Sequence, residues 1–108
     1  MARLDQLLQL LESSPKDSFL LFALAKEYEG LGNDDKALEY YLSLRESNPG
    51  YVGLYYHLGK LYLRKQDIDQ AVSVYKAGME VANLAGDRHA YNELSGAKME
   101  ISEEDFEE

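Results

Sequence analysis

Residues 20–41 read LLFALAKEYEGLGNDDKALEYY, and residues 54–75 read LYYHLGKLYLRKQDIDQAVSVY, one period of 34 residues later. When residues 18–51 and 52–85 are laid over each other without a gap, they agree mostly at apolar or aromatic positions. The matched pairs are Leu20/Leu54, Leu24/Leu58, Lys26/Lys60, Tyr28/Tyr62, Asp35/Asp69, Ala37/Ala71, Tyr41/Tyr75 and Glu46/Glu80. A period of this length predicts an array of helical repeats.

The spacing of apolar residues outside and inside this stretch predicts six short helices. Leu4, Leu7, Leu8 and Leu11 follow the i, i+3, i+4, i+7 rule of an amphipathic helix over about residues 2–13, which Pro15 ends. The other five are predicted over about residues 19–31, from Asn33 or Asp34 to Asn48, over about 52–65, from Asp67 to about Leu84, and from Asp87 to Ile101. The turns between them are only a few residues long, which favours antiparallel neighbours.

Composition and charge exclude several classes of function. The chain of 108 residues has a net charge of −9 and no cysteine. An acidic chain repels phosphate groups, so we expect neither nucleic acid nor an anionic membrane surface as a partner. The missing cysteines exclude disulfides and thiolate metal sites. The N-terminal leucines are interrupted by polar residues, which is not typical of a signal peptide, and a cytoplasmic location is expected.

The residues at helical spacing also resemble a known family. Those that carry the resemblance are Leu24, Ala25, Tyr28, Ala37, Tyr41 and Pro49, and one period later Leu58, Gly59, Tyr62, Ala71 and Tyr75. They resemble the tetratricopeptide repeat of small bacterial-type proteins. The resemblance implies an all-α fold of about six helices, in which antiparallel hairpins stack as a short right-handed superhelix.

The same resemblance suggests how the domain is organised. Residues 1–102 are expected to form a single domain, followed by an acidic tail over residues 103–108. Within it, residues 1–17 look like an N-terminal half repeat, 18–51 and 52–85 like two full repeats, and 86–102 like a capping helix. The acidic tail is interpreted as a disordered solubilising segment, or alternatively as a segment that docks beside Lys26 and Lys60 of a neighbouring copy.

In this family the first helix of each repeat faces a concave groove that binds peptides, which implies a set of groove residues here. These are Phe19, Phe22, Lys26, Tyr56, Lys60, Arg64, Tyr91 and Lys98, with Glu29, Leu63 and Leu94 beside them. Phe22 and Tyr56 are one period apart, as are Lys26 and Lys60. An acidic peptide with apolar anchors would suit such a pattern. The alternative is that both lysines are ordinary solvated side chains and both rings are partly buried.

The sequence therefore predicts a non-catalytic scaffold or adaptor that binds a segment of another protein and needs no cofactor. The Lys, Asn and Arg set with which some family members clamp terminal carboxylates is not reproduced, because Phe22, His57 and Tyr91 stand at its places. His57 and His89 lack the spacing of metal ligands. The alternative function is a homodimer in which Leu4, Leu8 and Leu11 of the first helix form an open apolar strip that a second copy covers.

Overall fold

A computed structural model describes the backbone of residues 3–105 and the side chains of residues 3–101. All regular secondary structure in these residues is α-helical, in agreement with the all-α prediction. The helices are α1 (Arg3–Ser13), α2 (Ser18–Gly30), α3 (Asp34–Ser47), α4 (Gly53–Arg64), α5 (Ile68–Ala85) and α6 (Arg88–Asp105). No helix within the described residues is long and apolar enough to cross a membrane.

Side-chain caps fix where four of the helices begin. Asp17, Asn33, Asp67 and Asp87 each accept a hydrogen bond from the backbone amide three residues further on, at 3.0 to 3.2 Å. These bonds satisfy amides that have no partner inside the helix. Asn33, Asp67 and Asp87 lie where the sequence predicts their helices to begin, and Asn33 rather than Asp34 caps α3. Helix α4 begins after Val52 without a side-chain cap.

The turns that close the two hairpins share one geometry. Gly32, between α2 and α3, has a φ of 80°, and Gln66, between α4 and α5, has a φ of 65°. Gly32 donates to the Glu29 carbonyl at 3.0 Å, and Gln66 donates to the Leu63 carbonyl at 2.9 Å. The two turns lie one period apart, so the repeat in sequence is also a repeat in backbone conformation.

The helices divide into two compact units between Tyr51 and Val52. Unit 1 contains α1, α2 and α3, with a core in which Leu7 of α1 packs with Leu20, Ala23 and Leu24 of α2. Other half-buried side chains surround that core: Leu4, Leu8, Leu11, Tyr28 and Tyr40. The three leucines of α1 that the sequence suggested as an open strip therefore pack inside unit 1. Leu10 is the apolar side chain of α1 that is exposed, at 57 %.

Unit 2 contains α4, α5 and α6 and is held together around two glycines. The Tyr75 ring lies on the backbone of Gly59, where an added Cβ would come within 2.6 Å of ring atom Cζ. An added Cβ on Gly78 would come within 2.5 Å of Tyr55 Cβ. Both glycines are buried, so α5 approaches α4 closely at these two points. Larger side chains would force the helices apart.

Helix α6 continues past the point where the sequence predicted its end. Its last described residue is Asp105, so the first residues of the predicted acidic tail, 103–105, are helical. Ile101 and Leu94 are its buried apolar side chains. The predictions for residues 106–108, including whether the tail docks, lie outside the described residues.

Candidate functional site

In unit 1 an aromatic cluster lies on one face of α2. The Phe22 ring is half-buried and contacts the Tyr51 ring at 5.4 Å and the Tyr41 ring at 6.2 Å between centroids. The second pair meets edge to face, an arrangement that aromatic rings favour. Part of the Phe22 ring therefore packs against Tyr41 and Tyr51, and the rest of the ring faces solvent.

A buried hydrogen bond links the two helices of this hairpin. Tyr41 of α3 is 0 % exposed, and its hydroxyl donates to Glu29 Oε1 of α2 at 2.6 Å. Phe22 and Glu29 are seven residues apart and share one stripe of the helix, with Ala25 and Lys26 between them. Tyr41 thus reaches from α3 to this stripe, where the Glu29 carboxylate accepts a short, charge-assisted hydrogen bond from its hydroxyl.

In unit 2 the matching stripe of α4 holds Tyr56, Gly59, Lys60 and Leu63. The Lys60 Nζ lies 5.7 Å from the centroid of the half-buried Tyr56 ring, within the range of a cation–π contact. The neighbouring His57 ring meets Tyr56 edge to face at 5.7 Å. Lysine and ring are thus held side by side, with the ammonium group exposed to solvent.

A cavity of about 230 Å³ lies next to this stripe, between the N-terminal halves of α4 and α6. Its lining combines apolar surface with the polar side chains of His57 and Glu93. The lining residues are Val52, Gly53, Tyr56, His57, Ala90, Glu93 and Leu94. A cavity of this size holds one side chain of a partner rather than a drug-sized ligand.

The hydroxyl of Tyr75 is a buried polar group of unit 2 that differs from its counterpart in unit 1. Tyr75 is 0 % exposed, and its hydroxyl is buried without a hydrogen-bond partner among the side chains that the structure describes. Burial, together with the smaller effects of the charges of Tyr56 and Glu100, raises the pKa of Tyr75 to about 12. Tyr75 occupies the place of Tyr41, and Leu63 the place of Glu29, so the acceptor that unit 1 provides is missing from the same stripe of unit 2.

Comparison with known proteins identifies the family. The tetratricopeptide repeat model matches residues 20–50 and 52–83, which together make up more than half of the chain. The chain belongs to the tetratricopeptide repeat family. Repeats of this family generally mediate protein–protein interaction.

Solved structures of tetratricopeptide repeat proteins from bacteria are similar to this chain. A crystal structure of such a domain from Salinibacter ruber shares 40 % identity, covers 82 % of this chain and 99 % of its own, and has a TM-score of 0.79. A solution structure from the same organism shares 39 % identity, with coverage of 87 % and 95 % and a TM-score of 0.82. A Bordetella parapertussis protein shares 25 % identity, with coverage of 97 % and 91 % and a TM-score of 0.84. No curated protein matches the chain.

The structure describes each groove residue predicted from the resemblance within its own unit of this tetratricopeptide repeat protein. Phe19 is 64 % exposed, and Lys26 and Arg64 are exposed on α2 and α4. Tyr91 and Lys98 line a different cavity of about 380 Å³, which α6 shares with Lys76, Met79, Glu80 and Asn83 of α5. They are absent from the lining of the cavity beside Tyr56.

Sequence reasoning missed two features of the stripes. His57 and Glu93 line the cavity beside Tyr56, and neither was among the groove residues predicted from the resemblance. The contrast between Tyr41 and Tyr75 was also missed, because the two were matched as equivalent residues of the repeat. Comparing Glu29 with Leu63 would have found it, since the carboxylate at this position of the stripe is replaced by an apolar side chain one period later.

Proposed function

We propose that this tetratricopeptide repeat protein is a non-catalytic scaffold in which the α2 stripe of unit 1 and the α4 stripe of unit 2 each offer a surface for a segment of a partner protein. The observation that carries the proposal is the recurrence of an aromatic ring and a lysine four residues apart, as Phe22 and Lys26 in unit 1 and as Tyr56 and Lys60 in unit 2. Each ring is half-buried and each lysine is exposed, so every stripe offers apolar surface next to positive charge.

The chemistry of the stripes favours an acidic partner segment with apolar anchors. Lysine attracts carboxylates as a point charge, and aromatic rings bury apolar side chains at a small cost in conformational entropy. The cavity of about 230 Å³ beside Tyr56 provides room for one such anchor. The overall negative charge of the chain disfavours acidic partners elsewhere on its surface, which would concentrate binding where the lysines lie.

The experiment that tests this function is peptide selection followed by mapping. The full-length chain is used to select binders from a displayed library of random peptides, and the selected peptides are titrated into labelled protein by NMR. We expect enrichment of acidic peptides and chemical-shift changes at the amides of Tyr56 and Lys60. Lys60→Glu should weaken binding about tenfold or more, whereas Lys76→Glu, which reverses an exposed charge on α5, should change it less than about twofold. Equal effects of the two reversals would overturn the proposal.

Self-association through the terminal helices is the alternative function. The packing of Leu4, Leu8 and Leu11 within unit 1 leaves Leu10 as the exposed apolar side chain of α1, which is a small area for a stable dimer. Light scattering at high concentration distinguishes the two functions: a dimer that Leu10→Glu dissociates would favour self-association, and a monomer would favour the scaffold. The cytoplasmic location stays a prediction from the sequence.

A further inference from the structure

The hydroxyl groups of the equivalent tyrosines Tyr41 and Tyr75 have different neighbours, although the helices of the two hairpins pack alike. Tyr41 and Tyr75 are both 0 % exposed, and both rings reach the stripe on the first helix of their own hairpin. The Tyr41 ring contacts Phe22, and the Tyr75 ring lies on Gly59. The positions of the two hydroxyls along the repeat are therefore the same, and the difference lies in what each hydroxyl meets.

Unit 1 identifies the chemical group that this position accepts. The Tyr41 hydroxyl donates to the Glu29 carboxylate at 2.6 Å, and Glu29 is half-buried at the surface of α2. A buried tyrosine hydroxyl at this position can thus be reached by a carboxylate that comes from the surface of the stripe. Burial of the hydroxyl itself is no obstacle, because Tyr41 is as buried as Tyr75.

In unit 2 the chain does not provide this group within the side chains that the structure describes. Leu63 stands where Glu29 stands, and it cannot accept a hydrogen bond. Glu100 of α6 is close enough for its charge to raise the pKa of Tyr75, but no hydrogen bond joins the two. A buried donor without an acceptor costs about 1–3 kcal/mol. An acceptor from another molecule that forms this hydrogen bond would therefore remove that cost.

We propose that the Tyr75 hydroxyl and the Lys60 ammonium group together form a binding site for a carboxylate side chain of an acidic partner segment. Lys60 follows Gly59, the residue on which the Tyr75 ring lies, and its exposed charge attracts the carboxylate. The half-buried Leu63 holds the repeat position of Glu29, so the carboxylate of the partner is expected on this side of the stripe. This site deepens the proposed function and rests on it, since it names the group that one stripe recognises.

The test compares two blocked heptapeptides that differ in one residue, a glutamate next to a phenylalanine in the first and a glutamine in the second. Each is titrated into the full-length chain by NMR. We expect Tyr75→Phe to weaken binding of the glutamate peptide about tenfold or more, because it loses a hydrogen bond to a charged acceptor. The same substitution should change binding of the glutamine peptide much less. Tyr41→Phe is the matched control and should leave both affinities within about twofold.

A second variant tests whether the site can be filled from within the chain. Leu63→Glu copies the arrangement of unit 1, so its carboxylate should accept from Tyr75 and exclude the peptide. We expect Leu63→Glu to weaken binding of the glutamate peptide about tenfold and to raise the melting temperature of the chain. A variant that keeps full affinity for the peptide would overturn the proposal.

Other outcomes separate this site from the proposed function. If Lys60→Glu abolishes binding of library-selected peptides while Tyr75→Phe leaves it unchanged, the scaffold function holds and the carboxylate site is wrong. The site is also wrong if the glutamate peptide does not bind the wild-type chain. Finally, a drop in melting temperature of Tyr75→Phe without peptide would mean that a group of this chain already accepts the bond, which overturns the site as a receptor for a partner.

Discussion

The two hairpins are α2–α3 in unit 1 and α4–α5 in unit 2. They share the packing residues that recur after one period and differ at a few of the equivalent positions. Tyr41 and Tyr75 are both fully buried, but Tyr41 donates to Glu29 while the hydroxyl of Tyr75 has no partner among the described side chains. Packing therefore requires the tyrosine ring in both units. Among the described side chains, the hydroxyl has an acceptor in only one of them.

The second difference concerns how closely the helices approach. Unit 2 has glycines at positions 59 and 78, where unit 1 has Ala25 and Leu44. Tyr75 lies on Gly59, and Tyr55 lies against Gly78. In unit 2 the rings thus pack directly on helix backbone, which should make this unit less tolerant of added volume than unit 1.

The substitution with the largest expected effect on this comparison is Gly78→Ala. Its new methyl group would lie 2.5 Å from Tyr55 Cβ and 2.9 Å from Tyr55 Cγ, atoms that cannot move without the α4 backbone. We expect a loss of about 3 kcal/mol in the free energy of unfolding, measured by urea denaturation. Gly96→Ala is the control, since nothing lies within 4 Å of its added Cβ in α6.

The control should stabilise the chain by about 0.5–1 kcal/mol, because alanine favours a helix over glycine where there is space. If Gly78→Ala changes the free energy of unfolding as Gly96→Ala does, α5 does not approach Tyr55 as closely as described. Gly59→Ala should have a smaller effect than Gly78→Ala, of about 2 kcal/mol, because the Tyr75 ring that it meets can shift.

The next prediction concerns alkaline pH, because the folded chain holds the proton of Tyr75 more firmly than the unfolded chain. The pKa of Tyr75 rises from an ordinary value of about 10 to about 12. A raised pKa in the folded state gives stability that is complete below pH 10 and is lost as the pH rises towards 12. From pH 10 to 12 wild type should therefore lose about 2 kcal/mol more than Tyr75→Phe. Parallel stability curves for the two chains would contradict the burial of this hydroxyl.

Much of this fold could be predicted from the sequence because the repeat shows twice which residues pack. Small residues at positions 37 and 71 and tyrosines one turn later are common to both copies, so their agreement indicated a shared core. The caps at Asp17 and Asp67 could be predicted for a similar reason, since their side chains act on amides only three residues away. Local chemistry and repeated pattern are both visible in a single chain.

The candidate site was harder to predict, because it depends on contacts between residues that are far apart in sequence. The hydrogen bond from Tyr41 to Glu29 spans 12 residues. The cavity beside Tyr56 combines α4 with residues of α6, where the repeat pattern is lost. Tyr91 and Lys98 of α6 were assigned to the groove from the resemblance, and in the structure they line a cavity that α6 shares with α5. Without a repeated pattern, the side of α6 that each residue occupies could not be deduced.

A smaller effect should distinguish the two tyrosine hydroxyls directly. Tyr41→Phe removes a short hydrogen bond to a carboxylate, and we expect it to cost about 1.5 kcal/mol in the free energy of unfolding. Tyr75→Phe removes a buried hydroxyl that has no described partner, so it should be neutral or stabilise the chain by up to about 1 kcal/mol at neutral pH. Calorimetry of both variants provides the measurement. Equal losses would mean that Tyr75 has an acceptor as Tyr41 does.

The smallest expected effect lies in the turns that close the hairpins. Gln66 has a φ of 65°, in the left-handed region that strains a residue with a Cβ, whereas unit 1 places Gly32 at the same point of its turn. Gln66→Gly should relieve that strain, although the greater freedom of glycine in the unfolded chain offsets part of the gain. The expected result is a stabilisation of about 0.5–1 kcal/mol in urea denaturation. Gly32→Gln should destabilise unit 1 by a similar amount, because it introduces the same strain. If neither exchange changes stability, the two turns do not share the backbone conformation that makes them equivalent.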